Sequence, residues 1–145
     1  MSVLKIERTF TLDPTSVFSY LTKTENLLKW WGPEGMNMKE HSLDLSKPGA
    51  WSSTLVNAEG GLHKMSGHVV TIDPPNSVEF TWGWHNDEDV RGIETVVRFE
   101  VSENRAGGTD FLLIHSGLTN EESAENHGKG WSSSLRKLER SINEN

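Results

Sequence analysis

Histidine is the residue type in this sequence with the widest chemical scope. Six histidines occur in 145 residues, and imidazole both binds metals and titrates near neutral pH. The close spacing typical of a zinc or iron site is absent among His63, His68, His85, His115 and His127. We therefore expect no metal and no cofactor. His115 or His63 could act as a general acid or base, although the sequence pairs neither with a defined carboxylate.

The common sequence signatures of catalysis are absent. No nucleophile elbow, dinucleotide fingerprint, P-loop or H-E-x-x-H motif occurs, and the lack of cysteine excludes disulfides and thiolate chemistry. The segment 87–92 begins like a calcium loop, but Arg91 replaces the third oxygen ligand and Arg98 occupies the position of the bidentate glutamate. We interpret this segment as a solvated hairpin tip.

Composition limits the partners and the location. The net charge is −7 and no Lys/Arg cluster forms a phosphate-binding surface, so we expect no nucleic-acid partner. The N-terminus lacks an apolar signal stretch, and no apolar run approaches membrane-spanning length. We expect a cytoplasmic protein without membrane contact, formed by a single domain over residues 1–145. Monomer and homodimer both stay open.

The hydrophobic pattern predicts a strand, two short helices, six strands and a long helix. The first strand covers 3–12, and Asp13-Pro14 begins a helix over 14–22. A capping box at 22–25 begins the second helix, which Gly32-Pro33 ends. Turn residues then separate six strands at about 36–45, 50–57, 62–72, 77–85, 91–102 and 109–117.

A second capping box, at 119–122, begins the long helix, which runs to about 142. Its second half carries an apolar stripe of Trp131, Leu135, Leu138 and Ile142, whereas its first half is polar and contains two glycines. Short connections favour antiparallel neighbours, and wrapping the sheet around the one long helix covers a face that would otherwise lie bare. This α+β arrangement predicts a cavity beneath the polar half of the helix.

Several short motifs occur in a characteristic order. They are Asp13-Pro14 to Val17, Leu28-x-Trp30-Trp31-Gly-Pro, Pro48-Gly49-Ala50-Trp51, Gly67 to Pro75, Phe80-Thr81-Trp82, Gly108-Thr109 to His115-x-Gly117, and His127-x-x-Gly130-Trp131. Together they resemble the START-like helix-grip (SRPBCC) superfamily, in particular single-domain relatives of the heat-shock-protein-90 ATPase activator. Ala50 departs from the pattern, because the family often has a second glycine there.

The resemblance implies a curved antiparallel sheet of about seven strands around the C-terminal helix, with two short helices after the first strand. It also implies a cavity for a hydrophobic small molecule between sheet and helix. It does not imply one shared reaction, since the superfamily spans lipid carriers, cyclases and chaperone regulators.

Alternation with a period of two predicts which side chains face this cavity. It places Trp82 and Trp84 inward with Val78 and Phe80, and places Ile93 inward with Thr95, Val97, Phe99 and Val101. The resemblance, rather than periodicity, places His115 inward. The candidate ligand-binding residues are Trp30, Trp51, Ser53, His63, Met65, Trp82, Trp84, Thr95, Phe111, His115, His127 and Trp131. An apolar wall with few polar groups is typical of a small-molecule pocket; that Trp82 and Trp84 merely fill the core stays an alternative.

The adjacent tryptophans near position 30 divide between two roles in our interpretation. Trp31 is the core anchor and Trp30 borders the mouth of the pocket.

Three functions remain in view. The first is a binding protein for a hydrophobic or aromatic small molecule. The second, which rests on the resemblance alone, is a chaperone-associated regulator with a heat-shock chaperone as partner. The third is a cyclase- or hydrolase-type enzyme that uses His115 or His63.

Overall fold

The computed structural model describes residues 1–143. Its elements, in chain order, are β1 (Ser2–Phe10), α1 (Pro14–Thr22), α2 (Thr24–Leu27), β2 (Asn37–Ser42), β3 (Gly49–Val56), β4 (Leu62–Asp73), β5 (Ser77–Trp84), β6 (Thr95–Glu103), β7 (Thr109–Leu118) and α3 (Glu121–Asn143). The seven strands form one antiparallel sheet in the order β1-β7-β6-β5-β4-β3-β2. The predicted helix-grip fold, with two early helices and a long C-terminal helix, is confirmed.

Local side-chain bonds explain where the helices begin. The Asp13 carboxylate accepts a hydrogen bond from the backbone N–H of Ser16 at 3.1 Å, and Pro14 occupies the first turn of α1. The predicted capping box of α2 is wrong, because the Thr22 hydroxyl donates to the carbonyl oxygen of Phe18 instead. At α3, Asn120 rather than Thr119 caps the helix, since its side chain accepts from the N–H of Ser123 at 2.8 Å.

The predicted strand 91–102 begins later than expected. Regular pairing starts at Thr95, and Ile93 is 68% exposed, so its inward assignment is wrong. Arg91 instead forms an isolated bridge with His85, and the N–H of Gly92 bonds to the carbonyl oxygen of Trp84 at 2.7 Å. This tight return of the chain keeps Ile93 out of the ladder.

The core lies between the concave face of the sheet and α3. Phe80, Phe99 and Leu113 are fully buried on the sheet, and their neighbours along each strand are more exposed, which is the alternation that a half-buried strand requires. Leu135 and Leu138 of α3 are also fully buried against this face. Among residues 1–143, no helix is both long and apolar enough to cross a membrane.

Candidate functional site

The two adjacent tryptophans have exchanged the roles that the sequence suggested. Trp30 is fully buried, and its indole N–H donates to the carbonyl oxygen of Tyr20 at 2.8 Å. Trp31 instead packs against Trp82 and Trp131, with ring centroids 5.7 and 6.0 Å apart. The assignment of Trp30 to the pocket border is therefore wrong. The turn after α2 directs Trp30 back towards α1, where a backbone carbonyl is available, and leaves Trp31 facing α3.

A cleft of about 340 Å³ opens between the sheet and the first half of α3. Its wall is mainly apolar and carries four tryptophans. The lining residues are Trp31, Gly32, Pro33, Leu55, Met65, Trp82, Trp84, Asn126, His127, Gly130, Trp131 and Ser134. We refer to this set as the cleft.

The cleft exists because α3 presents small side chains to it. Asn126, Gly130 and Ser134 follow one another at i, i+4 spacing and therefore lie on one face of the helix. A Cβ atom built on Gly130 would meet only Pro33, at 3.8 Å. A helix with larger residues at these positions would fill the space that the cleft occupies.

The rim loop, residues 32–36, is fastened to α3 by charged groups. Glu34 pairs with Arg136 at 3.0 Å and with Arg140 at 2.8 Å, and hydrogen bonds from these two guanidinium groups lower the pKa of its carboxyl. Lys137 donates to the carbonyl oxygen of Gly32 at 3.0 Å, and burial lowers the pKa of its ammonium group. These bonds hold the loop that forms one side of the cleft.

Hydrogen bonding distinguishes one indole of the cleft from the others. Five of the six tryptophans donate their N–H to a protein acceptor: Trp30, Trp31, Trp51, Trp84 and Trp131. The buried N–H of Trp82 has no partner within the described part of the chain. A buried donor without an acceptor costs about 1–3 kcal/mol, so Trp82 is the least satisfied polar group of this wall.

His115 lies behind the cleft in a closed hydrogen-bond network. Its Nδ1 accepts from the indole N–H of Trp131 at 3.1 Å, and its Nε2 lies 2.7 Å from the Thr95 hydroxyl. That hydroxyl donates to the carbonyl oxygen of Trp82 at 3.0 Å, so we assign the imidazole hydrogen to Nε2. Burial, and next the charge of neighbouring His127, lowers the pKa of His115 to about 3. The ring is neutral and fully enclosed, and it does not reach the cleft.

His127 holds Trp84 across the mouth of the cleft. Its Nδ1 lies 2.7 Å from the carbonyl oxygen of Ser123, one turn earlier in α3, and its Nε2 accepts from the indole N–H of Trp84 at 3.0 Å. A carbonyl can only accept, so Nδ1 carries the hydrogen. Trp84 is 40% exposed and, fixed in this way, covers part of the entrance.

The structure divides the twelve candidate residues into two groups. Five line the cleft: Met65, Trp82, Trp84, His127 and Trp131. Seven do not: Trp30, Trp51, Ser53, His63, Thr95, Phe111 and His115. Most of the second group lie one layer deeper. Ser53, for example, accepts the indole N–H of Trp31 at 3.0 Å, whereas His63 lies at the start of β4, 3.2 Å from the amide of Asn57.

Residues that the sequence analysis missed lie mainly on the rim loop and on α3. The spacing of His127 and Trp131 could have identified Gly130 and Ser134, because i+3 and i+4 neighbours share a helix face. Gly32 and Pro33 carried no comparable signal. Their position depends on a loop whose path the sequence does not specify.

The sheet, the grip of α3 and the intervening cleft define a helix-grip domain. The chain belongs to the Activator of Hsp90 ATPase homolog 1-like protein family, whose sequence model matches residues 11–143. It is similar to the AHSA1 protein from Silicibacter pomeroyi, with 42% identity, a TM-score of 0.93 and 97% of each chain covered. A protein from Chromobacterium violaceum is 20% identical, with a TM-score of 0.82 over 97% of this chain and 96% of that one, and shows the shared fold. A comparison with curated proteins found no match.

Proposed function

We propose that this protein binds a hydrophobic or aromatic small molecule in the cleft. The observation that carries the proposal is the apolar, tryptophan-rich wall described above, which encloses about 340 Å³. Small-molecule sites have volumes of about 300–1,000 Å³ and apolar linings with few polar groups. Asn126, His127 and Ser134 supply the polar groups here.

The energetics favour an uncharged, flat ligand. Burying apolar surface contributes about 25 cal/mol per Å², and indole faces add offset or edge contacts to aromatic rings. A charged ligand would lose its hydration against a wall in which no lysine, arginine, aspartate or glutamate takes part. Our proposal is therefore a neutral aromatic or fatty molecule that enters beside Trp84.

A fluorescence titration with the neutral probe N-phenyl-1-naphthylamine tests the proposal. Gly130→Leu projects a side chain into the cleft, whereas Lys129→Leu adds the same side chain at an exposed neighbouring position. We expect saturable binding to the wild type and to Lys129→Leu, and binding at least about tenfold weaker for Gly130→Leu, which corresponds to about 1.4 kcal/mol. Absence of saturable binding, or equal binding by both variants, would overturn the proposal.

Native mass spectrometry of protein purified from its own cells tests the same proposal without a chosen probe. We expect a non-covalent adduct that Gly130→Leu loses and Lys129→Leu keeps. The mass of that adduct would identify the ligand.

The family description favours a second candidate, a chaperone-associated regulator. A pull-down against the heat-shock protein 90 of the same cell, followed by an ATPase assay, tests it. Absence of binding at micromolar concentrations would remove this candidate. Enzyme catalysis by a cavity histidine has no support in the geometry, because His115 and His63 lie off the cleft wall.

A further inference from the structure

A serine, a histidine and an aspartate lie in line on the convex face of the sheet, away from the cleft. Ser66 of β4 follows Met65, which faces the cleft, so Ser66 faces the other side. The Ser66 hydroxyl lies 2.7 Å from Nε2 of His85, and Nδ1 of His85 lies 2.8 Å from a carboxylate oxygen of Asp89. Since an ionised carboxylate only accepts, Nδ1 carries the hydrogen and Nε2 can accept the serine proton.

The β5–β6 turn holds these groups in place. The side chain of His85 is only 12% exposed, and its backbone N–H donates to the carbonyl oxygen of Lys64 at 2.9 Å. Asp89 has a φ of +62° and donates its backbone N–H to Asn86. The Lys64 ammonium group pairs with Asp89 at 3.0 Å. Hydrogen bonds from Lys64 and then from His85 lower the pKa of the Asp89 carboxyl, so this carboxylate is ionised at neutral pH and fixes the imidazole tautomer.

Arg91 lies beside the serine, with its charge paired to Glu94 at 3.1 Å. Its Nε and Nη2 donate to the backbone carbonyl oxygen of Ser66 at 3.2 and 3.0 Å. A Cβ atom on Gly83 would lie 2.7 Å from the guanidinium carbon, so glycine at that position lets the arginine lie against the strand. Ser66, His85 and Arg91 border a surface groove of about 440 Å³, which has room for a small substrate.

We propose that Ser66, His85 and Asp89 form an acyl-transfer site that hydrolyses small carboxylic esters on the convex face of the sheet. This arrangement has the hydrogen-bond order that activates a serine nucleophile: hydroxyl to imidazole, and imidazole to carboxylate. Asp89 is the positioning residue, and Ser66 and His85 are the catalytic residues. The activity is independent of ligand binding in the cleft.

The reaction proceeds in two balanced steps. The Ser66 oxygen attacks the ester carbonyl carbon while its proton passes to Nε2 of His85, and the carbonyl oxygen becomes an oxyanion. The carbon–oxygen bond to the alcohol then breaks, and His85 returns the proton to the leaving alkoxide. In the second step water attacks the acyl-serine, its proton passes through His85 to the serine oxygen, and a carboxylic acid leaves.

Labelling with a fluorophosphonate probe and hydrolysis of 4-nitrophenyl acetate test this proposal on the full chain. We expect one adduct per molecule, mapped by peptide mass spectrometry to Ser66. We also expect Ser66→Ala and His85→Gln to lower hydrolysis by about 100-fold. Ser52, the cross-strand partner of Ser66 that borders the same groove, is the internal reference for selective labelling. Ser102→Ala is the matched control, because Ser102 is an exposed serine of β6 that lies outside the groove. It should keep both labelling and hydrolysis.

Asp89→Asn distinguishes a catalytic arrangement from a merely structural one. We expect it to lower hydrolysis about tenfold and to change the shape of the pH–rate profile, while a thermal melt confirms that the variant is folded. An unlabelled Ser66 in the wild type, equal labelling of Ser52 and Ser66, or unchanged hydrolysis by folded Ser66→Ala would overturn the proposal. If Ser66→Ala does not fold, the mapped position of the wild-type adduct still decides the question.

Discussion

Removal of the His115 imidazole should flatten the dependence of stability on pH. His115 has a pKa lowered to about 3 in the folded protein, compared with an ordinary value of 6.5. Between these two values the unfolded chain binds one more proton than the folded chain. The free energy of unfolding therefore falls as the pH falls below 6.5, and the stabilising contribution is complete above it.

The expected magnitude follows from the width of that window. Each pH unit within it corresponds to about 1.4 kcal/mol, so acidification from pH 7.5 to pH 5.0 should lower the contribution of His115 by about 2 kcal/mol. The titratable group that faces His115 is His127 of α3, at a ring-centroid distance of 4.9 Å. Thr95 and Trp131, its hydrogen-bond partners, do not titrate in this range.

Urea unfolding of the wild type and of His115→Asn at both pH values measures the effect. Asparagine retains a side-chain acceptor for Trp131 but cannot be protonated. On acidification over this range, the free energy of unfolding of His115→Asn should therefore fall by about 2 kcal/mol less than that of the wild type. His68→Asn makes the same substitution at an exposed position and serves as the matched control. The same change in wild type and His115→Asn would refute the reasoning, because it would mean that the folded protein accepts the proton on His115 without penalty.

Further predictions concern small changes in packing, each measured by urea unfolding. Gly130→Ala should raise the free energy of unfolding by about 1 kcal/mol, because alanine has the higher helix propensity. Gly128→Ala should raise the free energy of unfolding by less, because its Cβ would lie 3.3 Å from a leucine of β1. Gly67→Ala should lower it by about 3 kcal/mol, since its Cβ would overlap a backbone carbonyl of β5. Trp82→Phe should cost about 1–3 kcal/mol less than Trp131→Phe, because only Trp131 donates its indole N–H to a protein acceptor. The opposite order of the two glycine variants in α3, or of the two tryptophan variants, would contradict the packing described above.

The sequence predicted the architecture well because the fold depends on patterns that are local and repeated. Alternating apolar residues, turn residues and an amphipathic C-terminal helix specify a sheet gripping a helix without knowledge of any single contact. Burial of Phe80, Phe99 and Leu113 follows directly from that alternation. The inward position of His115, by contrast, came from the family resemblance, since its strand is apolar on both faces.

The candidate site was harder to predict because its details depend on loops and on competing hydrogen bonds. Trp30 and Trp31 have similar apolar neighbours along the chain, and a backbone acceptor on α1 decides between them. Alternation gives the face of a residue but not its depth, so Ser53 and Thr95 were assigned to the wall although they lie behind it. The Ser66–His85–Asp89 alignment was missed because sequence motifs describe residues close in the chain, whereas Ser66 and His85 meet across two strands.

The close packing of Trp31, Trp82 and Trp131 gives the protein an optical property as well as a core. Their ring centroids lie 5.2 to 6.0 Å apart, which is near enough for the electronic transitions of neighbouring indoles to couple. The native state should therefore show an exciton signature in circular dichroism that depends on the mutual angles of these rings. Trp51, which lies off the cleft, is equally close to Trp31 and Trp82, at 5.5 and 5.6 Å. The signature therefore reports on the whole tryptophan cluster, and ligand binding in the cleft should perturb it through the three rings that line the cleft.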